Sequence, residues 1–265
     1  MNQPIGILDS GVGGLSIWRQ IVKKLPKEST IYIADSKNCP YGKKTEKEIY
    51  RFSKKLVRFL LSKKVKLIVL ACNTITVSCL DKLRKDFPKT PIIGTVPVIK
   101  TASEITKNNK IGVLSTTRTA KSKYQKDLIK VFAGGANVFN IGTNKLVPLI
   151  ENGNFKVREI ENILREELSP FIKSNIDTLA LGCSHFPFLE RQMQKILGKK
   201  VLILDSSSAI ARQVKRILEN NKDLSVYNSF GHTLLTTGDL KKFNRLSIKL
   251  LGKRFKSISV ERISL

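Results

Sequence analysis

The chain has 265 residues, 41% of them hydrophobic and 26% charged, which is enough for a buried core and comfortable for two domains. Its 48 Lys and Arg outnumber 21 Asp and Glu for a formal charge of +27, but the cations fall in scattered pairs such as Lys23-Lys24, Lys54-Lys55 and Lys241-Lys242. With no run of like charges and no interleaved aromatics, they describe a solvated lysine-rich surface better than a nucleic-acid interface.

Four cysteines (Cys39, Cys72, Cys79 and Cys183) are too few for a disulfide scaffold in a chain this long. No apolar stretch reaches the roughly 18–20 residues of a bilayer span. The opening MNQPIGILDSG has no signal-peptide pattern. A cytoplasmic protein with reduced thiols and no membrane association is expected.

Strands are expected at Ile5–Leu8, Thr30–Ala34, Leu67–Leu70, Ile92–Ile93, Ile111–Leu114, Asn137–Ile141, Thr178–Leu181 and Val201–Leu204. These runs are short, rich in Ile, Val and Leu, and show little polar alternation, as strands covered on both faces do. Helical patterns lie between them, for example over Glu46–Ser62 and Val157–Ser174. Alternation of this kind predicts the α/β class with mostly parallel sheets.

The sequence also repeats itself. Ile5-Gly6-Ile7-Leu8-Asp9-Ser10 returns as Ile111-Gly112-Val113-Leu114-Ser115-Thr116. Leu67-Ile68-Val69-Leu70-Ala71-Cys72-Asn73-Thr74 returns, with one gap, in Asp177-Thr178-Leu179-Ala180-Leu181-Gly182-Cys183-Ser184. A looser echo joins Ile92-Ile93-Gly94-Thr95 to Leu202-Ile203-Leu204-Asp205, and all offsets lie between 106 and 111. Two similar α/β domains follow. The first is expected over residues 1–97 with 208–265, its final part packing back after a helix at Ser208–Asn220. The second is expected over 98–207. Polar residues cluster just after the strands, where ligands bind in open parallel sheets.

Three constellations stand at such positions. Asp9-Ser10-Gly11-Val12-Gly13-Gly14 precedes a helix whose first amides can hold a carboxylate or phosphate. A dinucleotide fingerprint competes here, with Asp35 at the expected distance, but Ser16 replaces the third glycine and Asp9 would face the pyrophosphate. Ala71-Cys72-Asn73-Thr74 and Gly182-Cys183-Ser184-His185 each set a thiol after a buried strand, followed by hydrogen-bonding side chains. A lone cysteine there is most often a small buried hydrophobe; two at matching places in a repeat ask for another reason. One thiolate can take a proton from a carbon beside a carboxylate while a second thiol returns one to the other face. Ser10, Asn73, Thr74 and Ser184 could polarise that carboxylate. Zinc on Cys72, Cys183 and His185 lacks a C-x-x-C pair. A cysteine hydrolase using His185 or His232 leaves one thiol unexplained. His232, Cys39 and Cys79 have no polar motif and read as core or surface residues.

Taken in order, Asp9–Gly14, Pro40-Tyr41-Gly42, Cys72-Asn73-Thr74, Thr116 with Thr119, Gly182-Cys183-Ser184-His185 and Asp205-Ser206 resemble glutamate racemase, of the aspartate/glutamate racemase family. The resemblance runs over roughly four-fifths of the chain. It implies two α/β domains related by a pseudo-two-fold axis with the active site in the cleft between them. It implies interconversion of L- and D-glutamate without pyridoxal phosphate, metal or other cofactor, supplying D-glutamate for bacterial peptidoglycan. In that family the cysteine matching Cys72 acts on the D-enantiomer and the one matching Cys183 on the L-enantiomer. Asp9, His185, Asp35 and Glu151 match assisting groups. Ser10, Pro40, Tyr41, Gly42, Asn73, Thr74, Thr116, Thr119 and Ser184 match substrate contacts. A homodimer is one expected assembly, since family members are commonly dimers or monomers. Ser184 and Phe186 stand where the family usually has Thr and Tyr; the hydroxyl of Ser184 is kept. The alternatives are an aspartate-racemase-like enzyme and a basic nucleic-acid-binding protein.

Overall fold

The computed structural model describes residues 3–153, 157–226, 231–252 and 258–264. In chain order the elements are β1 (Ile5–Asp9), α1 (Leu15–Lys24), β2 (Thr30–Ala34), α2 (Glu46–Ser62), β3 (Leu67–Leu70), α3 (Asn73–Asp86) and β4 (Ile92–Gly94). Then come α4 (Ile99–Ile105), β5 (Lys110–Ser115), α5 (Thr117–Lys121), α6 (Lys123–Phe132), β6 (Asn137–Gly142), α7 (Leu146–Glu151), α8 (Val157–Lys173), β7 (Thr178–Gly182), α9 (Glu190–Leu197) and β8 (Leu202–Leu204). The chain closes with α10 (Ser207–Asn220), β9 (His232–Thr236), α11 (Leu240–Leu251) and β10 (Ser259–Arg262). No helix among the described residues is long and apolar enough to cross a membrane.

Two compact units result, residues 1–95 with 207–265 and residues 96–206, against expected bounds of 97 and 208. The first holds a six-stranded sheet in the order β10-β9-β2-β1-β3-β4, the second a four-stranded sheet in the order β6-β5-β7-β8. Every described strand pair is parallel. β1 and β3 are buried at every residue, the signature of strands covered on both faces. In the first unit α1 packs with α10 and α11, and α2 with α3. In the second, α4 packs with α6, and α8 with α7 and α9.

Local chemistry explains α2. Thr45 and Glu48 form a reciprocal capping box at its start. Ile49, Leu56, Val57 and Leu60 recur at helical spacing and are buried against the sheet with Ile75, Leu80 and Leu83 of α3.

The repeat extends into the backbone. The order β2-β1-β3-β4 in one sheet is the order β6-β5-β7-β8 in the other. The helices before β3 and β7 both have 17 residues. Each is followed by a residue in left-handed conformation, Lys64 at φ 56° and Asn175 at φ 52°, which stand 111 positions apart. The closing hydrogen bonds also correspond: Lys64 N to Leu61 O and Val65 N to Leu60 O in one, Asn175 N to Ile172 O and Ile176 N to Phe171 O in the other. These are helix C-terminal caps that turn the chain into the next strand. Beneath each cap lies a glycine of the central strand. A Cβ on Gly6 would come 3.1 Å from Leu60 and 3.2 Å from Val65; one on Gly112 would come 2.8 Å from Phe171 and 2.7 Å from Ile176.

Two strands escape the sequence reading. β9 is flanked by threonine and histidine, and β10 is a mostly exposed edge strand. Neither has the apolar run that marks the others. His232 is half-buried at the start of β9. Trp18 Nε1 donates to Thr30 Oγ1 (2.8 Å), whose hydroxyl lies 3.0 Å from His232 Nδ1, and the Trp18 and His232 rings meet edge-on at 5.5 Å. Burial lowers the His232 pKa below the ordinary value.

Candidate active site

In both sheets the strand order reverses beside the central strand, between β1 and β3 and between β5 and β7. Open α/β sheets bind ligands in the crevice at the carboxyl ends of such strand pairs. Asp9, Ser10 and Cys72 emerge at that point in the first unit, and Thr116 and Cys183 in the second.

In the first unit, Ser10 Oγ and Cys72 Sγ share a hydrogen bond at 3.6 Å. Cys72 precedes α3 in extended conformation (φ −90°, ψ 118°) and is 5% exposed, so its thiol lies at the amino end of a 14-residue helix. Neighbouring amides there favour negative charge. Asp9 is wholly buried and accepts from Gly11 N at 2.8 Å, while Tyr32 OH donates to Gly11 O at 2.6 Å. The loop is pinned so tightly that a Cβ on Gly14 would stand 2.8 Å from Asp9 Cβ and Ala71 Cβ. Asn73 is buried and its Nδ2 donor has no hydrogen-bond partner among the described residues; Thr74 is buried beside it.

Pro40 leads into a 3-10 turn over Tyr41–Lys43 that contains Gly42. Tyr41 is buried in the same cluster as Cys72, and its hydroxyl donates to Asp35 Oδ2 at 2.5 Å. Burial, then the Asp35 charge and hydrogen bond and the charges of Cys72 and Cys39, hold the phenol well above its ordinary pKa. Asp35 also accepts from Asn38 Nδ2 (3.1 and 3.0 Å) and Thr237 Oγ1 (2.6 Å). That satisfied carboxylate is ill placed to meet a ribose hydroxyl, and Ser16, at the third glycine position, donates to Gly13 O at 2.9 Å.

In the second unit, Cys183 follows β7 directly and is 6% exposed. Its Sγ lies 3.8 Å from His185 Nδ1, and His185 Nε2 lies 2.6 Å from Glu151 Oε1 at the end of α7. Burial opposes charge on the imidazole. The hydrogen bonds to Cys183 and Glu151 and their negative charges outweigh it, and the His185 pKa is raised well above the ordinary value. Thr116 and Thr119 form a buried pair, Oγ1 to Oγ1 at 2.9 Å, with Thr119 N donating to Thr116 Oγ1 at 3.3 Å. Ser184 is buried next to the thiol.

The remaining cysteines differ in kind. Cys79 lies inside α3, donates to Ile75 O at 3.3 Å, and burial pushes its thiol up to about 12. Cys39 is half-buried before the 3-10 turn. The sequence reading missed Asn38 and Thr237, the two partners that with Tyr41 fix Asp35. Thr237 follows an unrecognised strand; the Thr236-Thr237-Gly238 run after two leucines repeats the strand-end pattern seen at Asp9 and Ser115.

The Asp/Glu/Hydantoin racemase family model matches residues 5–214. The chain belongs to that family. It is an isomerase. Its sequence is 39% identical over 251 residues to the glutamate racemase of Clostridium novyi (strain NT), an alignment covering 94% of this chain and 97% of the relative. Its fold is similar to glutamate racemase isoform RacE1 from Bacillus anthracis (TM-score 0.89, 33% identity, 99% of this chain and 98% of that one). It is also similar to Escherichia coli glutamate racemase solved with L-glutamate and the activator UDP-MurNAc-Ala (TM-score 0.87, 30% identity, 99% and 98% covered).

Proposed function

We propose that this racemase interconverts L- and D-glutamate with Cys72 and Cys183 as its two acid–base groups, needs no pyridoxal phosphate or metal, and supplies D-glutamate for peptidoglycan. One observation carries the reading: two units of matching strand order each present a buried cysteine at the same strand end, beside groups that manage a proton. The glutamate racemases to which the chain is similar support the substrate.

The chemistry balances without a cofactor. One thiolate takes the α-proton, leaving a carbanion delocalised into the substrate carboxylate, and the other thiol delivers a proton to the opposite face. The first group ends protonated and the second ionised, ready for the reverse turnover. Both thiols must reach one carbon from opposite sides. His185, held by Glu151, provides the positive charge that favours a Cys183 thiolate; at Cys72 the Ser10 hydroxyl and the amides at the start of α3 favour the thiolate, and Asp9 assists by holding the loop that carries Ser10. The Asn73 amide, unpartnered among the described residues, supplies donors for the substrate carboxylates with Thr74, Thr116, Thr119 and Ser184, and the carboxylate charge grows in the transition state. Asp35 acts through Tyr41: with its acceptors already engaged, it holds the 3-10 turn of Pro40, Tyr41 and Gly42 against the substrate.

The test follows circular dichroism and α-proton exchange from solvent for L- and D-glutamate, with no cofactor added, using wild type, Cys72→Ala and Cys183→Ala. Racemisation by wild type and its loss in each variant is the expected result, with aspartate turned over far more slowly. A wild type inert on glutamate, or a cysteine that can be removed without loss, overturns the mechanism.

A further inference from the structure

Beside the Asp35 network the first unit has a cavity of about 220 Å³. That is below the roughly 300–1,000 Å³ of sites for drug-sized ligands and suits a smaller one. Lys37, Lys55 and Arg262 reach it from the loop after β2, from α2 and from the end of β10. None of the three has an ion-pair partner among the described residues, whereas Lys54 and Lys123 are matched by Asp86 and Asp127. The one side-chain carboxylate that lines the cavity among the described residues, Asp35, is bound by Asn38, Tyr41 and Thr237. Three exposed cations therefore line a concavity whose one described carboxylate is already engaged. Phe52, Leu56 and Ile263 add apolar surface to the lining, and the Phe52 ring centroid lies 6.0 Å from that of Tyr41.

We propose that this cavity is a second ligand site that takes a small organic phosphate. Its phosphoryl group would sit among Lys37, Lys55 and Arg262, and its carbon skeleton against Phe52 and Ile263. A compact dianion with three equivalent oxygens can meet all three cations, and Arg pairs with it through two parallel hydrogen bonds. A single carboxylate would leave part of that charge unmatched. The site does not depend on the racemase reading, and its test needs no turnover.

The experiment is calorimetric titration at about 0.15 M ionic strength, where long-range attraction to a basic protein is largely screened. The probes are glycerol 3-phosphate, inorganic phosphate and succinate. The proteins are wild type, Lys55→Gln/Arg262→Gln, and Lys23→Gln/Lys24→Gln, a control that removes the same charge from the exposed end of α1. Glycerol 3-phosphate should saturate one site on wild type and control, and bind about tenfold more weakly or worse to the cavity variant, since two charge-assisted contacts are lost. Inorganic phosphate should bind the same site more weakly for want of the apolar contact. Equal titration of all three proteins, or uptake that tracks net charge without saturating, overturns the proposal. Succinate binding as tightly as glycerol 3-phosphate overturns the phosphate assignment.

Discussion

Glu151→Gln preserves the shape of the side chain and removes its charge. Glu151 Oε1 lies 2.6 Å from His185 Nε2, with the side chains 15% and 2% exposed, so solvent screens the pair little. A hydrogen bond to a charged group contributes about 1.5–3 kcal/mol, and one pKa unit corresponds to about 1.4 kcal/mol. The substitution should therefore lower the His185 pKa by about one to two units. On the two-thiol reading the imidazolium stabilises the Cys183 thiolate, so kcat/KM at neutral pH should fall by about 10- to 100-fold, and the alkaline limb of its pH profile should move down with the histidine. L- and D-glutamate have equal free energies, so kcat/KM must fall equally from both directions. The assays are polarimetric rates against pH from each enantiomer, and NMR titration of the imidazoles, of which the chain has two. An unshifted His185 titration refutes the electrostatic part of the argument. A shifted titration with an unchanged rate profile refutes the link from His185 to the reacting thiol.

The two histidines should titrate on opposite sides of the ordinary value of about 6.5, His232 below it and His185 well above. His232 then lends stability that is present above pH 6.5 or so and lost as pH falls, whereas the His185 contribution is complete below that pH and lost as pH rises through its folded-state value; denaturant midpoints of His232→Asn and His185→Asn across pH would expose any reversal. Gly112→Ala should cost about 1–3 kcal/mol through overpacking, and Gly6→Ala less, because the added Cβ meets Ile176 at 2.7 Å in one case and Leu60 at 3.1 Å in the other; equal losses in urea unfolding would count against the packing account. Lys64→Asn should raise stability by about 1 kcal/mol, since asparagine tolerates the left-handed conformation that Lys64 adopts at φ 56° and Asn175 already occupies at φ 52°; an unchanged or lower thermal midpoint would show that the Lys64 backbone is not strained.

The parts of the fold legible in the sequence are those where burial is two-sided. β1, β3 and β7 carry unbroken apolar runs because helices cover both their faces, and the run itself marks them. β10 is an edge strand with exposed Ser259, Glu261 and Arg262, and nothing in four such residues distinguishes it from a loop. The site divides in the same way. Cys72 and Cys183 could be singled out because a repeat placed them at equivalent strand ends. Thr237 could not, because its bond to Asp35 spans 202 positions and depends on β9 pairing with β2. Local pattern reports what a residue does to its own strand or helix, while a partner brought in by sheet pairing becomes visible only when the strand order is known.

The repeat kept the thiol and changed its company. Cys72 and Cys183 are 111 positions apart, and at that offset Asn73 answers to Ser184 and Thr74 to His185. The imidazole that reaches Cys183 therefore has a threonine in its place beside Cys72, and the hydroxyl that reaches Cys72 comes from Ser10, whose counterpart Thr116 bonds Thr119 instead. Such divergence is compatible with a symmetrical reaction. Equal free energies of two enantiomers fix the ratio of forward and reverse kcat/KM at unity, which constrains the overall barrier and not the groups on either side of it. A helix amino end and a hydroxyl at one thiol, and an imidazole backed by a carboxylate at the other, can serve the same proton transfer provided each makes its thiolate accessible near neutral pH.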